Sequence, residues 1–169
     1  MNIKYKTIVI SGQTIVLRPI RPDDELLWLE LLSDCSEESV YQRFRSFFRW
    51  KSPEIARRFC QPDSSREIAI VALVTEDSTP KLIGVGRLIA APDFREAEYA
   101  ILIADRWQGK GLGIQLTNFC MQIAGEWGIK KVYAETSTDN PGMMTIFQKL
   151  AFDIHIDSHG NTVMVEKWL

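Results

Sequence analysis

Ala104-Asp105-Arg106-Trp107-Gln108-Gly109-Lys110-Gly111-Leu112-Gly113-Ile114-Gln115-Leu116 is the stretch around which the rest of this chain is read. Ahead of it runs Ala97-Glu98-Tyr99-Ala100-Ile101-Leu102-Ile103, a strand-like segment, and behind it a long amphipathic helix pattern. Between the two, Gly109, Gly111 and Gly113 alternate with Lys110 and Leu112. A glycine-rich turn feeding a helix start presents several backbone N–H groups with no partner inside the helix. Those donors, at the positive end of the helix dipole, suit a phosphate or pyrophosphate. Glycine is required because side chains would block close approach and because some positions take φ > 0.

Working outward, the downstream helix sets Leu112, Leu116, Phe119, Ile123 and Trp127 at steps of three and four, with Cys120 beside them. That spacing makes one buried face, and Gly128 is a natural stop. A strand at 131–137 follows. Asp139-Asn140-Pro141-Gly142 is a cap and turn into a helix carrying Met143, Met144, Ile146, Phe147 and Leu150. Strands at 152–156 and 162–168 end the chain. Upstream, 14–19 is the first full strand, and 8–10 pairs with it across Ser11-Gly12. Pro22-Asp23-Asp24-Glu25 starts a helix, Ser36 caps a second and Ser52-Pro53-Glu54 starts a third. Strands at 68–75, 82–91 and 96–104 follow one another through short turns, with a loop over 76–81. Gly84 and Gly86 imply a bulge or a close backbone neighbour. The pattern predicts one domain over 1–169, an α/β (α+β) fold with a mixed, mostly antiparallel sheet of about six or seven strands flanked by helices.

Composition narrows the partners. The 169 residues are 46% apolar and 25% charged, with a net charge of -2. There is no basic excess to neutralise a nucleic acid. No apolar run approaches the roughly 20 residues that span a bilayer. The start lacks the apolar core of a signal peptide. Cys35, Cys60 and Cys120 read as reduced thiols, so the expectation is a cytoplasmic protein without disulfides or metal. Exposed strands and Trp168 are compatible with a homodimer.

Two familiar phosphate loops fail. A P-loop needs a glycine five positions before Gly-Lys-Ser/Thr, where Ala104 stands, and Gly111 follows Lys110. A dinucleotide fingerprint needs Gly-x-Gly-x-x-Gly, but its last position holds Ile114 or Leu116. What remains is Gln108-Gly109-Lys110-Gly111-Leu112-Gly113. This resembles the [Arg/Gln]-x-x-Gly-x-[Gly/Ala] signature of the GNAT superfamily of N-acetyltransferases, which grips the pyrophosphate of coenzyme A. Asn140-x-x-Met143-x-x-Ile146-Phe147-x-Lys149-Leu150-Ala151-Phe152 is similar to the family's second motif, whose asparagine contacts the CoA arm. Ser36-Glu37-Glu38-Ser39-Val40-Tyr41-Gln42-Arg43-Phe44 and Ala97-Glu98-Tyr99 are similar to stretches of bacterial Pat-like protein-lysine acetyltransferases.

The resemblance implies a sheet splayed at a CoA cleft and acetyl transfer from acetyl-CoA to a primary amine, with a protein lysine as the leading acceptor. It implies Glu98 as general base. It implies cofactor contacts from Ile101, Leu102, Ile103, Gln108, Gly109, Lys110, Gly111, Leu112, Gly113, Asn140, Met143, Phe147 and Lys149. From alternation alone, Glu96, Glu98, Ala100 and Leu102 share one strand face. Backbone N–H groups near Ile101 to Ile103 become donors to the pantetheine if the strand splays. A partly buried Glu98 would suit base chemistry.

Other readings stay open from residues alone. Glu98 also fits a solvated strand residue, and Glu135 is a competing carboxylate with a structural reading. Asn140 fits a plain helix cap. Arg43 fits either a cleft residue or an ion-paired edge. Phe147 stands where many relatives carry the tyrosine that protonates the CoA thiolate, and phenylalanine has no proton to give. Tyr99 points to the opposite face from Glu98. Ala151, in place of the usual glycine, asks that the helix end avoid φ > 0. A small-amine acetyltransferase and a non-catalytic acyl-CoA sensor are the alternative functions. The 36–60 helices are expected to shape the acceptor side.

Overall fold

The computed structural model describes residues 5–45 and 52–169. Part of the expected acceptor-side segment, 46–51, lies outside the described residues. The strands are β1 (Lys6–Ile10), β2 (Gln13–Pro19), β3 (Glu67–Glu76), β4 (Thr79–Ala90), β5 (Glu96–Ile103), β6 (Lys131–Ser137), β7 (Asp153–Ile156) and β8 (Thr162–Trp168). The helices are α1 (Glu25–Ser33), α2 (Glu37–Phe44), α3 (Pro53–Cys60), α4 (Leu112–Trp127) and α5 (Pro141–Lys149). One sheet runs β1-β2-β3-β4-β5-β6-β8-β7. Its eight strands exceed the expected count because the short edge pieces β1 and β7 both pair. All neighbours are antiparallel except β5 and β6, which are parallel and joined through α4.

Two hairpins close on two-residue turns with positive φ at both positions, Ser11-Gly12 and Asp77-Ser78. That geometry matches the right-handed twist of the flanking strands. The loop expected over 76–81 therefore shrinks to a tight turn, since Asp77 and Ser78 take the left-handed region without glycine.

Pairing sorts the central strands into two faces. Gly84, Gly86 and Leu88 lie opposite Ile103, Ile101 and Tyr99, beneath α4. A Cβ on Gly86 would sit 2.8 Å from Cys120 Sγ, and one on Gly84 would sit 2.7 Å from Ile103 Cδ1. Both glycines are there for close approach, and the β3–β4 register also shifts beside Gly84. The other face carries Glu67, Arg87, Glu98 and Ala100 under α1, α2 and α3. Arg87 there donates to Glu67 Oε2 (2.9 Å) and to the Phe59 carbonyl (2.5 Å).

The turn into α1 is locked by a buried ion pair. Arg18 donates to both Asp24 carboxylate oxygens at 2.8 and 2.7 Å, and the Arg21 backbone N–H donates to Asp24 Oδ2 at 2.8 Å. The bond to Asp24 raises the Arg18 pKa further, against the opposing effect of burial. Ala151 corrects one expectation: its φ is +54. The chain must reverse between α5 and β7 so that Phe152 can pack on Phe147, with ring centroids 4.9 Å apart and the Phe152 N–H bonded to the Phe147 carbonyl at 3.0 Å.

Asp24→Ala leaves a buried guanidinium uncompensated and is expected to lower stability by about 3–5 kcal/mol in urea unfolding. Ala151→Gly relieves the left-handed strain and is expected to raise stability by about 0.5–1 kcal/mol in the same assay.

Candidate active site

β5 and β6 pair only at Glu96–Lys131, Ala97–Val132 and Glu98–Tyr133, and then part. The gap opens into a cleft of about 530 Å³. Its walls come from Tyr99 to Ile103 on β5, from Ala134, Glu135 and Thr136 on β6, and from α2, the glycine loop and α5. The expected splay is present, and it leaves backbone groups of β5 facing open space.

Which groups those are follows from alternation. The Ala104 N–H donates to Ile83, and the Glu96 carbonyl accepts from Ala91. Even-numbered residues of β5 therefore face β4, and odd-numbered ones face the gap. Ile101 and Ile103 present their N–H groups to the cleft. Leu102 does not: its N–H points toward β4, which corrects its expected role as a donor, although the residue still borders the cleft.

The glycine loop uses its glycines in two ways. Gly109 and Gly111 have φ of +71 and +92, in the left-handed region that favours glycine. Gly113 instead makes room, since a Cβ there would lie 2.5 Å from Ile146 Cδ1 of α5. Gln108 spends its carboxamide inside the protein. Its Nε2 donates to the Ile103 carbonyl (3.0 Å) and to Ser39 Oγ (3.1 Å). The Ser36 N–H at the start of α2 donates to Asp105 Oδ1 (3.2 Å). Lys110 does not border the cleft; its Nζ sits over the Trp107 ring, 5.5 Å from the centroid. The Leu112 side chain is fully buried, so only its backbone serves the loop.

On α5, the Asn140 side chain caps the helix, accepting from the Met143 N–H at 3.2 Å, and it also borders the cleft. Met143, Phe147 and Lys149 line the same wall. Phe147 is almost fully buried. Tyr99 lies on the α4 face as expected: its hydroxyl donates to Thr117 Oγ1 at 3.0 Å, and burial holds its pKa well above 10.

Glu98 is exposed, not partly buried, and stands at the last β5–β6 pair, just where the strands separate. It marks the end of the cleft and is not among the cleft-lining residues. Glu135, read as structural, lines the cleft on the same sheet face as Glu98 and Tyr133. Arg43 lines it too and has no ion pair among the described residues. Sequence reasoning did not assign Ser36, Glu38, Ser39, Gln42 or Thr136 to the cleft. Ser36, which caps α2, and Glu38, Ser39 and Gln42 on it share the stretch that carried the Pat-like resemblance, and spacing within that stretch was the one available signal.

Comparison with known proteins agrees with this geometry. Residues 14–153 match the family model described as an acetyltransferase (GNAT) domain. An acetyltransferase of Pseudomonas aeruginosa is 26% identical over 157 residues, 93% of this chain and 84% of that protein. The acetyltransferase Pat of Mycolicibacterium smegmatis is 27% identical over 84% of this chain, which spans 42% of that protein's length. The crystal structure of the GNAT domain of S. lividans PAT superposes with a TM-score of 0.85 at 26% identity, covering 98% of this chain and 97% of that one. Mycobacterium smegmatis RimJ, solved in complex with CoA-disulfide, shares the fold at a TM-score of 0.75 and 12% identity, covering 97% of this chain and 86% of that one. The chain belongs to the GNAT family and is an acetyl-CoA-dependent N-acyltransferase.

Proposed function

We propose that this protein acetylates protein lysine side chains by direct transfer within a ternary complex, as one catalytic domain over 1–169, with Glu98 as general base. The observation that carries the reading is the position of Glu98. It is a carboxylate at the point where β5 and β6 part, three residues before Ile101, the first of the two β5 amides that face the cleft. The lysine acceptor is supported by similarity to Pat, a 27% identical relative, and to the S. lividans PAT domain.

In this mechanism the pyrophosphate of acetyl-CoA lies on the backbone N–H groups of the 108–113 loop, at the N-terminus of α4. The pantetheine arm runs along β5, bonded to the Ile101 and Ile103 amides. Asn140, Met143, Phe147 and Lys149 bound its other side. Glu98 takes a proton from the acceptor ammonium, directly or through water. The amine lone pair then attacks the thioester carbonyl carbon, whose oxygen collects negative charge beside the β5 N–H donors. The C–S bond breaks as the carbonyl reforms, the thiolate leaves, and the nitrogen, cationic after the attack, gives its second proton to water. Phe147 has no proton to give, and the Tyr99 hydroxyl is committed to Thr117 on the other face. A thiol pKa near that of cysteine, roughly 8.5, lets water protonate the thiolate.

Glu98→Gln is expected to lower kcat by at least about ten-fold, with CoA affinity unchanged by calorimetry. Wild-type turnover in that variant would remove Glu98 as base. Gly111→Val forces a β-branched residue to a φ of +92, and is expected to weaken CoA binding by at least about ten-fold in the same titration. Acceptor identity is read from acetyl incorporation into lysine-bearing proteins against a panel of free polyamines. Turnover confined to the polyamines would replace the lysine reading.

A further inference from the structure

Arg43 and Glu98 carry opposite charges on one side of the sheet. Arg43 comes from α2, which packs on β5, and Glu98 projects from β5 on the face that α1, α2 and α3 cover. The guanidinium lies over the Phe44 ring, 4.7 Å from its centroid, and borders the cleft. It makes no ion pair within 4.0 Å among the described residues. Burial pushes its pKa down to about 10, and Arg87 adds to that while Glu98 opposes it. Arg43 therefore stays charged at neutral pH, half-buried at the cleft edge, and donates no hydrogen bond to a described residue.

Glu135, two residues beyond Tyr133 on the same sheet face, is a second carboxylate beside the cleft, while the neighbouring cations of β4 and β6 are paired. On β4, Arg87 is held by Glu67 of β3 and by the Phe59 carbonyl. On β6, Lys131 is held by Glu96 at 2.9 Å and reaches Glu166 of β8 at 3.5 Å. Tyr133, opposite Glu98, is a neutral phenol whose pKa is raised by burial and then by Glu98 and Glu96. Arg58 of α3 acts on Arg87. Among the described residues, Arg43 is a cleft-lining cation on α2, the helix that packs on β5, and it forms no ion pair.

We propose that Arg43 is a positioning residue that holds the Glu98 carboxylate ionised and turned toward the cleft when acetyl-CoA and the acceptor close over it. The inference rests on the reading of Glu98 as base. In the free protein the Glu98 side chain is exposed to water. Filling the cleft removes that water, which favours the protonated carboxyl and would disable the base. The attraction of a nearby guanidinium grows as the local dielectric falls. Arginine suits the task because it keeps its charge when desolvated and offers a planar fork of donors to a carboxylate.

The sign of the effect follows. An opposite charge lowers a carboxyl pKa, so removing Arg43 raises it. The test is a pH titration of the Glu98 carboxyl carbon by NMR in the acetyl-CoA-bound protein labelled at glutamate, with the resonance assigned by its loss in Glu98→Gln. In Arg43→Gln the midpoint is expected to rise by about half a pH unit or more, while Arg43→Lys holds it near wild type. Arg43→Met, which keeps the packing on Phe44, serves as a second neutral variant should Arg43→Gln melt early. The acid limb of kcat, which reports the bound complex, should move up with the midpoint.

A midpoint unmoved in both neutral variants overturns the role of Arg43. If Glu98→Gln lacks turnover in that case, the base assignment itself stands. If Glu98→Gln turns over at the wild-type rate, the base assignment falls and the role of Arg43 falls with it.

Discussion

The parting of β5 from β6 is the constraint on which the site depends. A sheet normally satisfies every interior N–H and C=O, and buried backbone groups left unpaired are costly. Here the parallel pair ends at Glu98–Tyr133, and the odd-numbered amides beyond it face a gap. The sheet survives because each side of the gap is held on its other edge. β5 stays paired with β4 as far as Ile103, and β6 with β8 as far as Ser137. The opening is therefore a rigid slot with ready donors along one wall. An extended, amide-bearing arm such as pantetheine fits that arrangement.

The cofactor end and the acceptor side of the slot share one frame. The Gln108 carboxamide joins the end of β5 to Ser39 of α2, and Asp105 holds the start of the same helix. The glycine loop thus positions α2, and α2 carries Glu38, Gln42 and Arg43 into the cleft. On the far side, Gly113 lets Ile146 of α5 approach α4 closely, which brings Asn140 and Phe147 to the opposite wall. One loop organises both walls by side-chain bonds on one side and by a missing side chain on the other.

The two sheet faces divide the polar groups. On the α4 face Tyr99 is buried, bonded to Thr117 and unable to titrate near neutrality. On the other face lie the exposed Glu98 and Glu135, the half-buried Arg43, and the buried Arg87 paired with Glu67.

Much of this was legible in the order of residues. The glycines of the 109–113 loop, the cap at Asn140, the buried face of α4 and the strand alternation around Glu98 are local features. They depend on backbone conformation and on periods of two or 3.6 residues, which neighbouring residues impose on one another. The family could be read for the same reason, because its motifs are local. The tertiary structure decided what local pattern cannot hold. Ala151 takes positive φ because Phe152 must reach Phe147. Leu102 turns its N–H away from the cleft because its strand pairs with β4. Glu135 and Arg43 line the cleft, Arg43 without an ion pair among the described residues, because α2, β5 and β6 meet there from distant parts of the chain. Whether a charge is paired, buried or left available depends on which elements pack together, and that is set by the fold as a whole.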